Sequence, residues 1–176
     1  MRQIITCFLL VGLVLPVTAT AHGPSRQKVV KEIQINAPAS RVWELMQDFC
    51  SISNWDPEVP ECSADPGNKP DTIRTIKLGN GAPLREQLIK HQPDRMMMQY
   101  MLLEANPDAL PVNTLGTTLS VREGDNGGAV VEWKCAFYRS FPGPTPPPEL
   151  SDEAAIAAVT KLVDAGLAGL KALAEK

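Results

Sequence analysis

The chain has 176 residues, 44% of them hydrophobic and 21% charged, with a formal net charge of −3. No Lys/Arg-rich block occurs, which excludes a protein built to hold a phosphate backbone. No apolar run approaches the roughly 20 residues that cross a bilayer, and the length suits one domain with a substantial core.

Arg2 makes the N-terminus positive, residues 4–14 are an apolar run, and Ala19-Thr20-Ala21 is a small-x-small cleavage site. This pattern predicts a secretory signal peptide, residues 1–21, and one domain over residues 22–176. Cys7 leaves with the signal, so Cys50, Cys62 and Cys135 remain. In an oxidising compartment Cys50 and Cys62 close the shortest loop and are expected to form a disulfide, while Cys135, in an alternating strand pattern, reads as a buried thiol. There is no Cys-x-x-Cys pair and the only histidines are His22 and His91. No metal centre and no cofactor are expected.

Residues 28–35 alternate as a strand that Asn36-Ala37-Pro38 ends, and 39–49 carry Val42, Leu45, Met46 and Phe49 at helical spacing. Asn54-Trp55-Asp56-Pro57 reads as a brief helical turn leading into an extended stretch through Val59 and Cys62. Segments 72–78 and 84–91 form a hairpin about Gly79-Asn80-Gly81, 96–103 is a methionine-rich strand, and 112–122 and 129–139 flank the turn at 124–128. Five prolines within 141–148 stop the sheet. A long helix then spans 151–174, with Ser151 as N-cap and Asp152 and Glu153 in its first turn. Runs of strands followed by one helix give an α+β fold with the helix on one face of a curved antiparallel sheet.

The larger apolar residues of that helix include Ile156, Val159, Val163 and Leu167, and between them lie Ala155, Ala157, Ala158, Ala165, Gly166, Ala168 and Gly169. Such a face either sits close on the strands or roofs a hollow. In the second case Ile156, Val159, Val163 and Leu167 line a cavity together with Met96 and Met98, which alternation places on one side of their strand.

The element order, with Ile35-Asn36-Ala37-Pro38-Ala39-Ser40-Arg41-Val42-Trp43, resembles the SRPBCC or START-like helix-grip superfamily, which includes polyketide cyclases. The resemblance implies a curved sheet of about six to seven strands around a long C-terminal helix, two short helices after the first strand, and a cavity for a small apolar or lipid-like ligand. Many bacterial members carry His where this chain has Asp56. His22-Gly23-Pro24, Leu110-Pro111-Val112-Asn113, Phe137-Tyr138-Arg139, Pro146-Pro147-Pro148-Glu149 and Ala165-Gly166-Leu167 are similar to the MxaD family. That likeness implies a periplasmic accessory protein of methanol oxidation, helping methanol dehydrogenase meet its cytochrome c. It implies no catalytic residue.

The residues themselves say little for an enzyme. His91 is the one available base and there is no Gly-x-Ser-x-Gly elbow, so a hydrolase is not expected. Arg74, Arg85, Glu86, Glu132 and Lys134 lie on neighbouring strands, either as cross-strand ion pairs or as inward groups that serve a cyclase. From residue 42 to 68 the charged residues are Glu44, Asp48, Asp56, Glu58, Glu61 and Asp65, all acidic. An uncompensated acidic face steers a basic partner. The expected docking face is Trp55, Asp56, Glu58 and Glu61, with Trp55 as apolar anchor. A non-enzymatic docking protein is therefore the leading expectation, ahead of a ligand carrier and a cyclase-like enzyme.

Overall fold

A computed structural model describes residues 23–176. The expected signal peptide and His22 lie outside the described residues. Ten elements follow in order: β1 (Gln27–Ile35), α1 (Ala39–Met46), a 3-10 turn (Ser51–Asn54), β2 (Glu61–Ala64), β3 (Ile73–Lys77), β4 (Pro83–Gln92), β5 (Met97–Leu102), β6 (Val112–Glu123), β7 (Ala129–Arg139) and α2 (Asp152–Ala174). Further short 3-10 turns occupy connections. The seven strands form one antiparallel sheet in the order β1-β7-β6-β5-β4-β3-β2. The α+β helix-grip architecture is present.

Alternation along each strand sorts the side chains between two faces. One face carries Val29 and Ile35, Trp133, Cys135 and Phe137, Leu119, Met98 and Tyr100, Leu84, Leu88 and Ile76, all buried. α2 lies against this face, mainly on β1 and β7, and adds Val159, Val163, Leu167 and Leu170. Its start is fixed as the sequence implies: the Ser151 hydroxyl accepts from the Ala154 N–H at 3.1 Å. Arg139, buried, donates to the carbonyls of Phe141 and Gly143 and to Asp152, holding the proline-rich loop and the first turn of α2 together. Among the described residues no helix is long and apolar enough to cross a membrane.

The Cys50–Cys62 disulfide is formed, with Cα atoms 5.6 Å apart, and Cys135 is a free buried thiol. The bond ties the 3-10 turn to β2, a four-residue edge strand that sequence alternation alone leaves as merely extended.

The small residues of α2 are explained by what they admit. A Cβ on Gly169 would stand 1.9 Å from the Trp55 carbonyl oxygen, and one on Gly166 would stand 2.7 Å from both Asp56 Oδ2 and the Trp133 ring. The Trp55-Asp56-Pro57 turn is therefore seated in a notch of the helix. Gly169→Ala sets two effects against each other: alanine favours a helix by roughly 1 kcal/mol, but the new methyl needs space held by backbone. The clash wins, and denaturant titration should show Gly169→Ala less stable by at least about 2 kcal/mol, with Ala168→Gly, which makes no clash, losing only the helix-propensity difference of about 1 kcal/mol.

Candidate functional site

The interior beneath α2 is mostly apolar, and its buried polar side chains include a group centred on Arg74 and Glu86. Arg74 on β3 and Glu86 on β4 face each other across the strand pair, as the register requires. Arg74 Nε donates to Glu86 Oε2 at 2.7 Å, and Nη2 lies 2.7 Å from the same oxygen. Nη1 donates to the Phe49 carbonyl. The guanidinium is stacked between the rings of Phe49 and Tyr100, at 4.2 and 4.5 Å from their centroids. Burial by itself lowers the Arg74 pKa, but Glu86 and Tyr100 beside it reverse that and the net shift is upward. Arg74 therefore stays charged. Burial raises the Tyr100 phenol and pushes the Cys135 thiol up to about 12, so both are neutral. Cys135 Sγ lies 3.8 Å from the Thr117 hydroxyl.

Asp56 is a second, separate polar point. It is only 2% exposed. Its Oδ1 accepts the Glu58 backbone N–H at 2.9 Å, while Oδ2 is buried with no hydrogen-bond partner among the described residues. Burial is the main cause that lifts this carboxyl from 3.8 to about 7; the Glu58 N–H and the Arg74 charge pull it down, and the Glu58 charge adds to the lift. The Trp133 indole N–H is likewise buried and unpartnered. Its ring meets Trp55 edge-on at 5.7 Å.

One end of this interior opens. A cavity of about 450 Å³ lies between α2 and two loops, lined by Glu58, Leu78, Asn80, Leu110, Ala158 and Leu162 among others. Lys161 and Glu58 form an ion pair of 2.9 Å at its rim. Leu162 at this cavity and Gly166, over which Asp56 Oδ2 lies, are four residues apart on α2.

The expected docking face is divided: Trp55 and Asp56 are buried, whereas Glu58 and Glu61 remain at the exterior. Trp55 is 5% exposed and packed edge-on against Trp133, with Nε1 donating to the Ser51 hydroxyl at 3.4 Å; Asp56 lies beneath the helix. Glu58 pairs with Lys161 and Glu61 pairs with Lys77 at 2.6 Å. The acids lack bases along the sequence but find them on other elements.

The expected cavity lining is also corrected. Val159, Val163, Leu167 and Met98 are packed core. Ile156 is 36% exposed, and Met96, which precedes β5 with a left-handed φ of 46°, is partly buried against the core. The mouth uses Ala158 and Leu162 instead, a different strip of the same helix. Of the charged strand residues, Arg74 and Glu86 point inward, whereas Arg85, Glu132 and Lys134 pair outside with Glu104 and with one another. His91 is half-buried, stacks on Trp43 at 5.6 Å and contacts the Gln47 carbonyl at 2.9 Å, a structural position.

Two measurements check this site. The native state holds a proton on Asp56 between its ordinary pKa and about 7, so stability is greatest below pH 4 for this group and falls as pH rises to about 7. Denaturant titrations should show a loss of a few kcal/mol at most across that window, and Asp56→Asn should flatten it. Arg74→Met alone leaves Glu86 buried and unpaired and should cost about 3–5 kcal/mol, whereas the double change Arg74→Met/Glu86→Leu should cost less than the single one.

Comparison with known proteins agrees with the architecture. The solved structure of XoxI from Bacillus cereus superposes with a TM-score of 0.71 at 24% identity, over 84% of this chain and 94% of that one. A protein from Nitrosospira multiformis matches with a TM-score of 0.66 at 22% identity, over 83% and 94% of the two chains. The ZhuI aromatase/cyclase from a Streptomyces species matches with a TM-score of 0.71 at 17% identity, over 86% and 94%. At these identities the likeness is one of fold. No curated protein sequence matches the chain. The family model described as polyketide cyclase / dehydrase and lipid transport matches residues 26–175, and since that is nearly every described residue, the chain belongs to this family.

Proposed function

We propose that the protein binds a small, largely apolar ligand that enters between α2 and the loops carrying Leu78 and Leu110. The observation that carries this reading is the Asp56 carboxyl, buried beneath α2 with an unpartnered Oδ2, four helix residues along from the cavity that Ala158 and Leu162 line. An orphaned buried oxygen costs about 1–3 kcal/mol. A hydroxyl or amide on the ligand would satisfy it, and Leu78, Leu110, Ala158 and Leu162 would take the apolar remainder. The family description, which includes lipid transport, supports a ligand of this kind.

Asp56 also favours a second reading. A carboxyl held near pH 7 both gives and takes a proton at neutrality. Turnover of the bound molecule by cyclisation or dehydration is the activity that such a group would serve, in line with the family description and with the aromatase/cyclase neighbour. We propose a periplasmic location, which the residue pattern of positions 1–21 and the Cys50–Cys62 disulfide support. The accessory role in methanol oxidation rests on the short motifs similar to the MxaD family. With Trp55 and Asp56 inside, that role needs a docking face elsewhere, and salt-sensitive association with methanol dehydrogenase and its cytochrome c, with faster electron transfer, is the result that would establish it.

The ligand reading is tested by native mass spectrometry of gently purified protein and by titration with Nile red, a neutral apolar dye. A co-purifying small molecule is expected, and Ala158→Trp, which plugs the mouth, should lower dye affinity at least tenfold. Protein that is empty and whose weak dye binding ignores Ala158→Trp would sink the reading. Asp56→Asn then separates the two functions: binding persists, while any turnover loses its rise and fall about neutral pH.

A further inference from the structure

The sheet face turned away from α2 carries a second and larger cavity. The register places Lys28 opposite Ala136, Ala136 opposite Gly116, and Gly116 opposite Met101, one residue each from β1, β7, β6 and β5. Such a row points to one side of a pleated sheet. Trp133 and Cys135 face α2, so Lys134 and Ala136 and the whole row face outward. With the two smallest residues at its centre, the row forms the floor of a trench of about 660 Å³, within the range of small-ligand sites. Its walls include Ile89, Thr114, Thr118 and Tyr138. The strand pairing is irregular beside both Ile89 in β4 and Thr114 in β6, where bulges bend the sheet at the ends of the trench.

Three features say that this trench is built to be occupied. Gly116 is not demanded by the backbone: its φ is not left-handed, and a Cβ there would meet no atom nearer than 4.0 Å. The glycine keeps space open rather than making a fold possible. Of the four large hydrophobic residues exposed among the described residues, Val30, Ile89 and Met101 stand on this face. The charged residues lining the cavity are Arg26, Lys28 and Lys134, with no acid among the lining residues. Lys134 is paired with Glu132 at 2.5 Å, and Arg26 and Lys28 have no acidic partner among the described residues.

We propose that the trench is a binding site for an amphipathic organic anion, a carboxylate with an apolar tail. The tail lies over Gly116 and Ala136 against Met101 and Ile89, and the carboxylate meets Arg26 and Lys28. The charge pattern selects the sign: a cationic amphiphile of the same length would meet only bases. An added peptide strand does not suit it, since the trench crosses the strands instead of running along an open edge. The site is independent of the mouth at Leu110 and Leu162, and each stands if the other fails.

The test uses dodecanoate below its micelle concentration, with affinity read by calorimetry and location by amide chemical shifts. Dodecanoate should shift the amides of Met101, Gly116 and Ala136, and dodecylammonium should bind at least tenfold more weakly. Gly116→Val fills the trench in a strand position that tolerates a β-branched residue; it should lower dodecanoate affinity at least tenfold with the melting temperature retained. Lys28→Glu, on the exposed surface, should lower it several-fold and serves if Gly116→Val does not fold. Ala158→Trp should have no effect. No dodecanoate binding, shifts confined to the surroundings of Leu110 and Leu162, equal binding of dodecylammonium, or full affinity in both Gly116→Val and Lys28→Glu would each overturn the proposal.

Discussion

The close approach of the Trp55-Asp56-Pro57 turn to α2 governs much of the remaining structure. Glycines at 166 and 169 let a carboxylate and a backbone carbonyl lie where any other residue would put a methyl. That contact fixes how low the helix rides over the sheet, and it brings Trp55 edge-on to Trp133. It also buries Asp56 against apolar surroundings, which is the physical cause of its raised pKa. The cavity that Ala158 and Leu162 line lies toward the first half of α2, where the helix faces the loops carrying Leu78 and Leu110.

The two buried charged systems differ in kind. Arg74 and Glu86 pair with one another, and the stacking on Phe49 and Tyr100 and the bond to the Phe49 carbonyl make the pair a joint between the sheet and the segment after α1. Removing half of such a pair is costly, yet the whole of it contributes little net stability over an apolar replacement. Asp56 has no such partner. It is destabilising in the free protein, and a group of that sort is more readily understood through what it meets in a complex.

Strand and helix positions were legible because burial alternates with period two in β1 and β4 to β7 and because Ser151 with its following acids marks the helix start. The disulfide was legible from the short spacing of Cys50 and Cys62 once an oxidising compartment was expected. The site was not. The run of acids from 42 to 68 looks uncompensated along the chain, but Lys161 and Lys77, which pair with Glu58 and Glu61, are distant in sequence for the one and across a hairpin edge for the other. Nor does local pattern show that Trp55 and Asp56 are received by helix glycines over a hundred residues later. For Arg74 and Glu86 alternation left both faces open, and burial decided it. The outer trench needs the register of four strands at once, which no single segment carries.

The short edge strand β2 has a role in solubility as well as in shape. Its four residues cover one side of β3, whose backbone groups would otherwise be open to pairing with a second molecule. A strand of that length holds weakly by its own hydrogen bonds, and Cys62 is tethered through Cys50 to the body of the protein. The disulfide thus keeps a cap on an aggregation-prone edge. In a reducing environment the cap loosens before the core does, so newly made, unoxidised chains are the population most exposed to self-association through β3.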